Sequence, residues 1–189
     1  MDFTLNEQQT ELQRVAREFA QKEMVSVALE MEEKNIPLPK DWLKKYAEMG
    51  FLGINVGKKY GGLGLSNLEA LLVIEEFAKI SSAVAFPIFE SCVGPVKAIE
   101  HFANEDLKMR VIPEVCQGNI IIAVSMSEPN AGSALTDLTT KAEIQGDKIV
   151  INGTKRWCSG GGHSEGYVVY CKMSDAPGAK GIGAVYVEK

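Results

Sequence analysis

Two short stretches of this chain carry residues suited to gripping a flat, polar ligand. The first is Val124-Ser125-Met126-Ser127-Glu128-Pro129-Asn130-Ala131-Gly132-Ser133. An apolar run enters a Pro/Asn/Gly turn set with hydroxyls, and such a turn exposes backbone N–H groups beside small side-chain donors. Two readings stand: the polar rim of a heterocycle or a phosphate oxygen, or a plain β-turn with surface serines. The second stretch is Asn152-Gly153-Thr154-Lys155-Arg156-Trp157-Cys158-Ser159-Gly160-Gly161-Gly162. Trp157 offers a flat face for stacking, Ser159 a donor at a ring's edge, and the glycines a close backbone approach. The plainer reading is a core tryptophan followed by a flexible loop.

Other chemistries lack their residues. There is no His-Glu-x-x-His, no Cys/His cluster and no EF-hand spacing, and His101 and His163 are the only histidines, so no metal site is expected. Gly57 to Gly64 lacks the Gly-x-x-x-x-Gly-Lys-Ser/Thr run and the Gly-x-Gly-x-x-Gly of nucleotide folds; its glycines are read as serving turns and close packing. Gly-x-Ser-x-Gly is missing, and the nearness of Ser159 to His163 is read as incidental. A net charge of -5 without a basic stripe argues against nucleic-acid binding. The solid apolar runs, such as Ile120 to Val124, fall far short of the roughly 20 residues of a membrane span. Met1-Asp2-Phe3-Thr4 shows no export signal, and Cys92, Cys116, Cys158 and Cys171 lie far apart. Both features point to separate, reduced thiols and a cytoplasmic location.

The elements that position the two stretches change character near residue 118. Before it, the apolar period is helical. Thr4-Leu5-Asn6-Glu7 reads as a capping box opening a helix to about Lys34, ahead of Pro37 and Pro39. Asp41 to Met49 is expected to form a short helix burying Trp42, Tyr46 and Met49, closed by a left-handed Gly50. Ser66-Asn67-Leu68-Glu69 reads as a second capping box, starting a helix through Leu71, Leu72, Val73, Ile74 and Phe77 that is buried on most sides. Further helices are expected at about 91–103 and 105–116, with Pro113 kinking or restarting the last. After Asn119 the period falls to near two. Strands are expected at 120–127, 140–144, 148–157, 167–173 and 181–188, with a hairpin at Gly146-Asp147. The pattern is α+β: an all-α helical domain over 1–118, then, over 119–189, a β-domain. Five strands with an open edge at Lys189 suggest a piece of something larger, or a fold completed by a second chain.

Together the two stretches resemble the signatures of the acyl-CoA dehydrogenase family of flavoproteins. Ser127-Glu128-Pro129-Asn130-Ala131-Gly132-Ser133-Ala134 is similar to Thr-Glu-Pro-Gly-Ala-Gly-Ser-Asp, and Asn152 to Gly161 to Asn-Gly-x-Lys-x-Trp-Ile-Thr-Asn-Gly. Tyr60-Gly61-Gly62-Leu63-Gly64 and Gly50-Phe51-Leu52-Gly53 also match the family, so the resemblance covers the whole chain. It implies the helical domain plus the first part of an antiparallel β-barrel-like domain, with a C-terminal helical domain absent from this chain. It implies FAD as cofactor, lined by Val124, Ser125, Met126, Ser127 and Ser133, with Trp157, Cys158 and Ser159 at the ring. Ser127 would sit near the pyrimidine side, Trp157 beside the isoalloxazine, and Ser159 would donate to N5. Ser133 would also contact the acyl-CoA, and Lys180 would reach a CoA phosphate. The implied reaction is α,β-dehydrogenation of an acyl-CoA thioester, with electrons passed to an electron-transfer flavoprotein and assembly as a homotetramer.

No residue here matches the family's carboxylate base, and Glu128 is read as a structural turn residue, so no catalytic residue is assigned. The sequence departs from the pattern at Ser127 and Ser159 (each usually Thr), Asn130 (Gly), Ala134 (Asp) and Cys158 (a larger apolar residue). Asn130 is expected to keep the turn by tolerating a left-handed conformation. The departures leave open an oxidase or monooxygenase on the same scaffold, or a non-catalytic partner subunit supplying part of a flavin site.

Overall fold

The computed structural model describes residues 4–189, which divide into two compact units, one running through Ile121 and the other Ile122–Lys189. Met1, Asp2 and Phe3, on which the reading of no export signal rests, lie outside the described residues.

The helical unit holds α1 (Glu7–Phe19), α2 (Val25–Lys34), α3 (Lys40–Glu48), α4 (Asn67–Ala78), α5 (Ser82–Cys92), α6 (Pro95–Phe102) and α7 (Glu105–Cys116). The first cap is not Thr4. Asn6 accepts from the Gln9 amide at 2.8 Å while the Gln9 side chain accepts from the Asn6 amide at 3.0 Å, a reciprocal pair two residues later. The long first helix is interrupted by a π-helical turn, Ala20–Met24, and Asn35 ends α2 in a left-handed conformation. Ser66 and Glu69 form the second capping box as expected. In α3 the buried stripe is Leu43 and Tyr46, while Met49 is exposed, because the helix turns Leu43 rather than Met49 toward the core. Likewise α4 buries Leu72, Val73 and Phe77 but leaves Leu68 and Leu71 exposed. The helix expected at about 91–103 is divided between the end of α5 and α6, and α7 runs unbroken through Pro113.

The core of this unit is aromatic. Phe77 packs against Tyr46, Phe51 and Phe19 with ring centroids 5.1, 5.2 and 5.8 Å apart, mostly edge to face. The Tyr46 hydroxyl, wholly buried, donates to the Val84 carbonyl at 3.0 Å, which satisfies its polar end. Ser82–Phe102 is apolar and long enough to cross a membrane by composition alone, yet α5 ends at Cys92 and more than half of the stretch is buried inside the unit.

The glycines after residue 50 do the work of close packing. Gly50 is left-handed, at φ 73°, as the C-terminal position of α3 requires. A Cβ on Gly62 would lie 2.3 Å from the Val56 carbonyl oxygen and 2.6 Å from that of Gly53. Gly62→Ala is expected to destabilise the helical unit by about 1–3 kcal/mol through overpacking. Urea titration followed by helical circular dichroism checks this: the midpoint falls with the slope unchanged.

The second unit is a five-stranded mixed sheet of β1 (Ile122–Ser125), β2 (Lys141–Gln145), β3 (Lys148–Asn152), β4 (Gly166–Lys172) and β5 (Ile182–Glu188). β5 runs antiparallel along all of β4, from Gly166↔Glu188 to Lys172↔Ile182. The other edge of β4 is shared. β1 lies parallel to its first half, from Ile122↔Gly166 to Ser125↔Val169, and β2 meets its end at Lys141↔Lys172, also parallel. The sheet is therefore mixed, correcting the antiparallel expectation. The long excursion from Met126 to Glu165 lets the chain re-enter in the same direction, which a tight hairpin cannot do. β2 and β3 do form the expected hairpin, and only Gly146 of its two turn residues has a positive φ (66°), the type II′ arrangement.

Candidate functional site

Everything that carries the candidate site lies in the sheet unit. β1 delivers Val124 and Ser125 and then leaves the sheet at Met126. Glu128 and Ala131 bond reciprocally through their backbones, closing the turn over Pro129 and Asn130. Asn130 does not use a left-handed conformation; among the described residues other than glycine, only Asn35 and Trp157 have positive φ.

β3 stops at Asn152, five residues before the expected end. β2 has no further residue to pair, because the Thr140 amide is taken by Glu128. The chain crosses Thr140 at Gly153, where a Cβ would fall 2.3 Å from Thr140 Oγ1. It then runs to the first stretch. The Arg156 amide donates to the Ser127 carbonyl at 2.9 Å, and Ser125 Oγ donates to Cys158 Sγ at 3.2 Å. The two stretches, some 30 residues apart in sequence, thus form one paired edge.

Trp157 sits on that edge in a left-handed conformation, φ 61°, with 76% of its surface exposed. A bulky residue at positive φ is strained, and strain of this kind gathers at functional sites. The Arg156 guanidinium lies 4.2 Å over the indole. The core reading of Trp157 is therefore wrong; the ring is displayed. The following loop is anchored rather than loose. Ser164 N donates to Gly160 O at 2.9 Å, Gly162 N donates to the Tyr167 hydroxyl at 3.0 Å, and a Cβ on Gly160 would lie 2.1 Å from Ser164 Oγ. Ser159 is exposed beside Trp157, and Cys158 is half-buried.

Beneath the edge lies an ion pair that the motif reading passed over. Lys155 Nζ is 2.9 Å from Glu128 Oε1 and donates to the Met126 carbonyl at 3.0 Å. Glu128 also accepts from the Thr139 amide at 2.7 Å, the Thr139 hydroxyl at 2.8 Å and the Thr140 amide at 2.9 Å. Burial alone would raise its carboxyl pKa; the donors of Thr140, Thr139 and Lys155 outweigh that and hold it well below the usual carboxylate range. Both oxygens are occupied and the group stays ionised, so Glu128 braces the turn and does not move protons. A lysine between the Asn152-Gly153 pair and Trp157 was the only sequence signal for the ion pair.

Ser133 and Lys180 are exposed, and neither hydrogen-bonds to the paired edge. Their segments meet elsewhere: the single helical turns Leu135–Asp137 and Gly178–Gly181 pack together. A polar hollow of about 190 Å³ opens here, lined by Thr136, Lys172, Ser174, Asp175 and Gly178 among others. The structure thus gathers Val124, Ser125, Met126, Ser127, Trp157, Cys158 and Ser159 on one edge, and sets Ser133 and Lys180 on turns leading away from it. Among the described residues there is no cluster of metal-ligating side chains, and all four cysteines are free thiols.

Residues 6–119 match the model of the acyl-CoA dehydrogenase N-terminal domain, and residues 123–189 that of the acyl-CoA dehydrogenase middle domain. The chain belongs to the acyl-CoA dehydrogenase family. It is 35% identical to acryloyl-CoA reductase (NADH) of Anaerotignum propionicum, over 100% of this chain and 48% of that protein. It is 36% identical to mitochondrial isobutyryl-CoA dehydrogenase of Bos taurus, over 98% of this chain and 44% of that protein. A solved FAD complex of PigA superposes with a TM-score of 0.90 at 26% identity, covering 100% of this chain and 50% of that one. The chain spans about half the length of the curated relatives it matches.

Proposed function

We propose that this chain supplies the flavin-facing part of an FAD-dependent acyl-CoA dehydrogenase. The observation that carries the reading is the paired edge: Ser127 and Arg156 bonded through their backbones, with a strained, exposed Trp157 between Ser127 and Ser159. A displayed indole suits stacking beside an isoalloxazine, and the Ser127 and Ser159 hydroxyls suit its polar rim and N5. When bound, the flavin accepts the hydride of α,β-dehydrogenation. The residues on the edge hold the ring, exclude water from one face and supply donors at its acceptor atoms. Lys180, on the Gly178–Gly181 turn, and Ser133, two residues before the Leu135–Asp137 turn that packs against it, are exposed polar groups that suit the CoA end of an acyl-CoA thioester.

Glu128 is unavailable as the base that takes the α-proton, so in this reading the base comes from outside these residues. An electron-transfer flavoprotein as electron acceptor, a tetrameric or two-chain assembly and a cytoplasmic location complete the proposal. Purified protein is expected to show flavin absorption bands, bleached by one member of a panel of acyl-CoA thioesters. A colourless protein that takes up no added FAD would overturn the reading. Oxygen consumption during bleaching would instead favour an oxidase.

A further inference from the structure

Three of the backbone groups around Ser127 are already committed. The Met126 carbonyl accepts from Lys155 Nζ, the Ser127 carbonyl from Arg156 N, and the Glu128 amide donates to Ala131 O. The Ser127 amide is the exception: it makes no hydrogen bond among the described residues. It belongs to the same peptide plane as the Met126 carbonyl, and in a trans peptide the N–H points opposite to the C=O. A cation fixed on the Met126 oxygen therefore aims the Ser127 N–H away from Lys155 and draws charge toward the oxygen, making that N–H a stronger donor.

Lys155 is unusual for a lysine. Its side chain is only 12% exposed, and that of its partner Glu128 only 4%. A buried ion pair is weak evidence for stability, because the cost of stripping water from two charges cancels much of their attraction. Its geometry accounts better for its presence. One end grips the turn through Glu128, Thr139 and Thr140, and the other grips the peptide before Ser127, so both stretches of the edge share one anchor.

We propose that Lys155 is a positioning residue, held by Glu128, which fixes the Met126–Ser127 peptide so that the Ser127 amide is presented as a preorganised donor to a carbonyl oxygen of the bound flavin. The flavin as occupant rests on the function proposed above; the ordering of the peptide does not. The resemblance assigned ring contacts to Ser127, Trp157 and Ser159 and left Lys155 without a role.

The test compares the wild-type protein with Lys155→Met/Glu128→Gln, which removes both charges while keeping side-chain volume, and with Lys155→Arg, which keeps a buried cation. Thermal melts confirm that each is folded. Backbone relaxation at Ser127 reads the peptide without flavin: its order parameter is expected to fall from about 0.85 to below about 0.6 in the double variant and to recover in Lys155→Arg. FAD titration is expected to show at least about tenfold weaker binding in the double variant and recovery to within about threefold in Lys155→Arg, the loss corresponding to one well-oriented backbone donor. A folded double variant with an unchanged Ser127 order parameter and wild-type FAD affinity would overturn the proposal. If wild-type protein binds no FAD, the flavin reading fails, and the relaxation data alone decide whether Lys155 orders the peptide.

Discussion

Replacing Glu90 with glutamine is expected to stabilise the helical unit by about 2–4 kcal/mol at pH 9, and by less than about 1 kcal/mol at pH 4.5. Glu90 lies near the end of α5, 5% exposed, and no described residue pairs with it. Burial pushes its carboxyl up to about 8, against an ordinary value of 4.5. The folded chain therefore keeps this proton over a range where the unfolded chain has lost it. Stability must fall as pH rises from about 4.5 to about 8 and level off above that. At about 1.4 kcal/mol per pKa unit the full penalty is about 5 kcal/mol, and glutamine forgoes all of it except the cost of burying a neutral amide. Urea midpoints measured from pH 4.5 to 9 on both proteins check this. A constant difference across that range would show that Glu90 ionises freely in the folded state. Raised carboxyls also cluster at functional sites, so acyl-CoA bleaching should be followed in the same variant.

The second large effect runs in the opposite direction. Glu128→Ala is expected to destabilise the sheet unit by about 3–5 kcal/mol at pH 7, because it leaves the Lys155 ammonium buried without its counter-ion. It also leaves the Thr139 and Thr140 amides without their acceptor. The sign with pH follows from the depressed carboxyl. Its stabilising contribution is complete above the unfolded value of about 4.5. It is lost only as pH falls toward the much lower folded value. Wild type and variant should thus differ by a constant amount from pH 5 to 8 and converge in strong acid. Near-ultraviolet circular dichroism and Trp157 fluorescence, the only tryptophan of the sheet unit, report its unfolding. A loss under about 1 kcal/mol would show that the brace is dispensable. Together with the Lys155 variants, this separates what the pair does for stability from what it does for the Ser127 peptide.

Local rules were legible where the chain satisfies itself locally. Ser66 and Glu69 cap α4, Gly50 ends α3 and Gly146 turns the β2–β3 hairpin, since each depends on residues three or four apart. The order of residues in the two signature stretches likewise marked the segments that the fold pairs along one edge. Burial was less legible. Leu71 and Met49 have the right hydrophobicity for the core but the wrong rotation about their helices, and only packing decides which face turns inward.

The amino-acid order by itself determined the helical and stranded halves, the family and the residues that belong to its signatures, because propensity, periodicity and motif spacing are short-range properties. Tertiary structure decided the rest. It made the sheet mixed, cut β3 short at Asn152, displayed Trp157 rather than burying it, and turned Glu128 and Lys155 into a buried brace. Each of these is a contact between residues more than ten positions apart or its direct consequence. Which distant donor meets which acceptor depends on how the backbone crosses itself, and no window along the chain contains both partners.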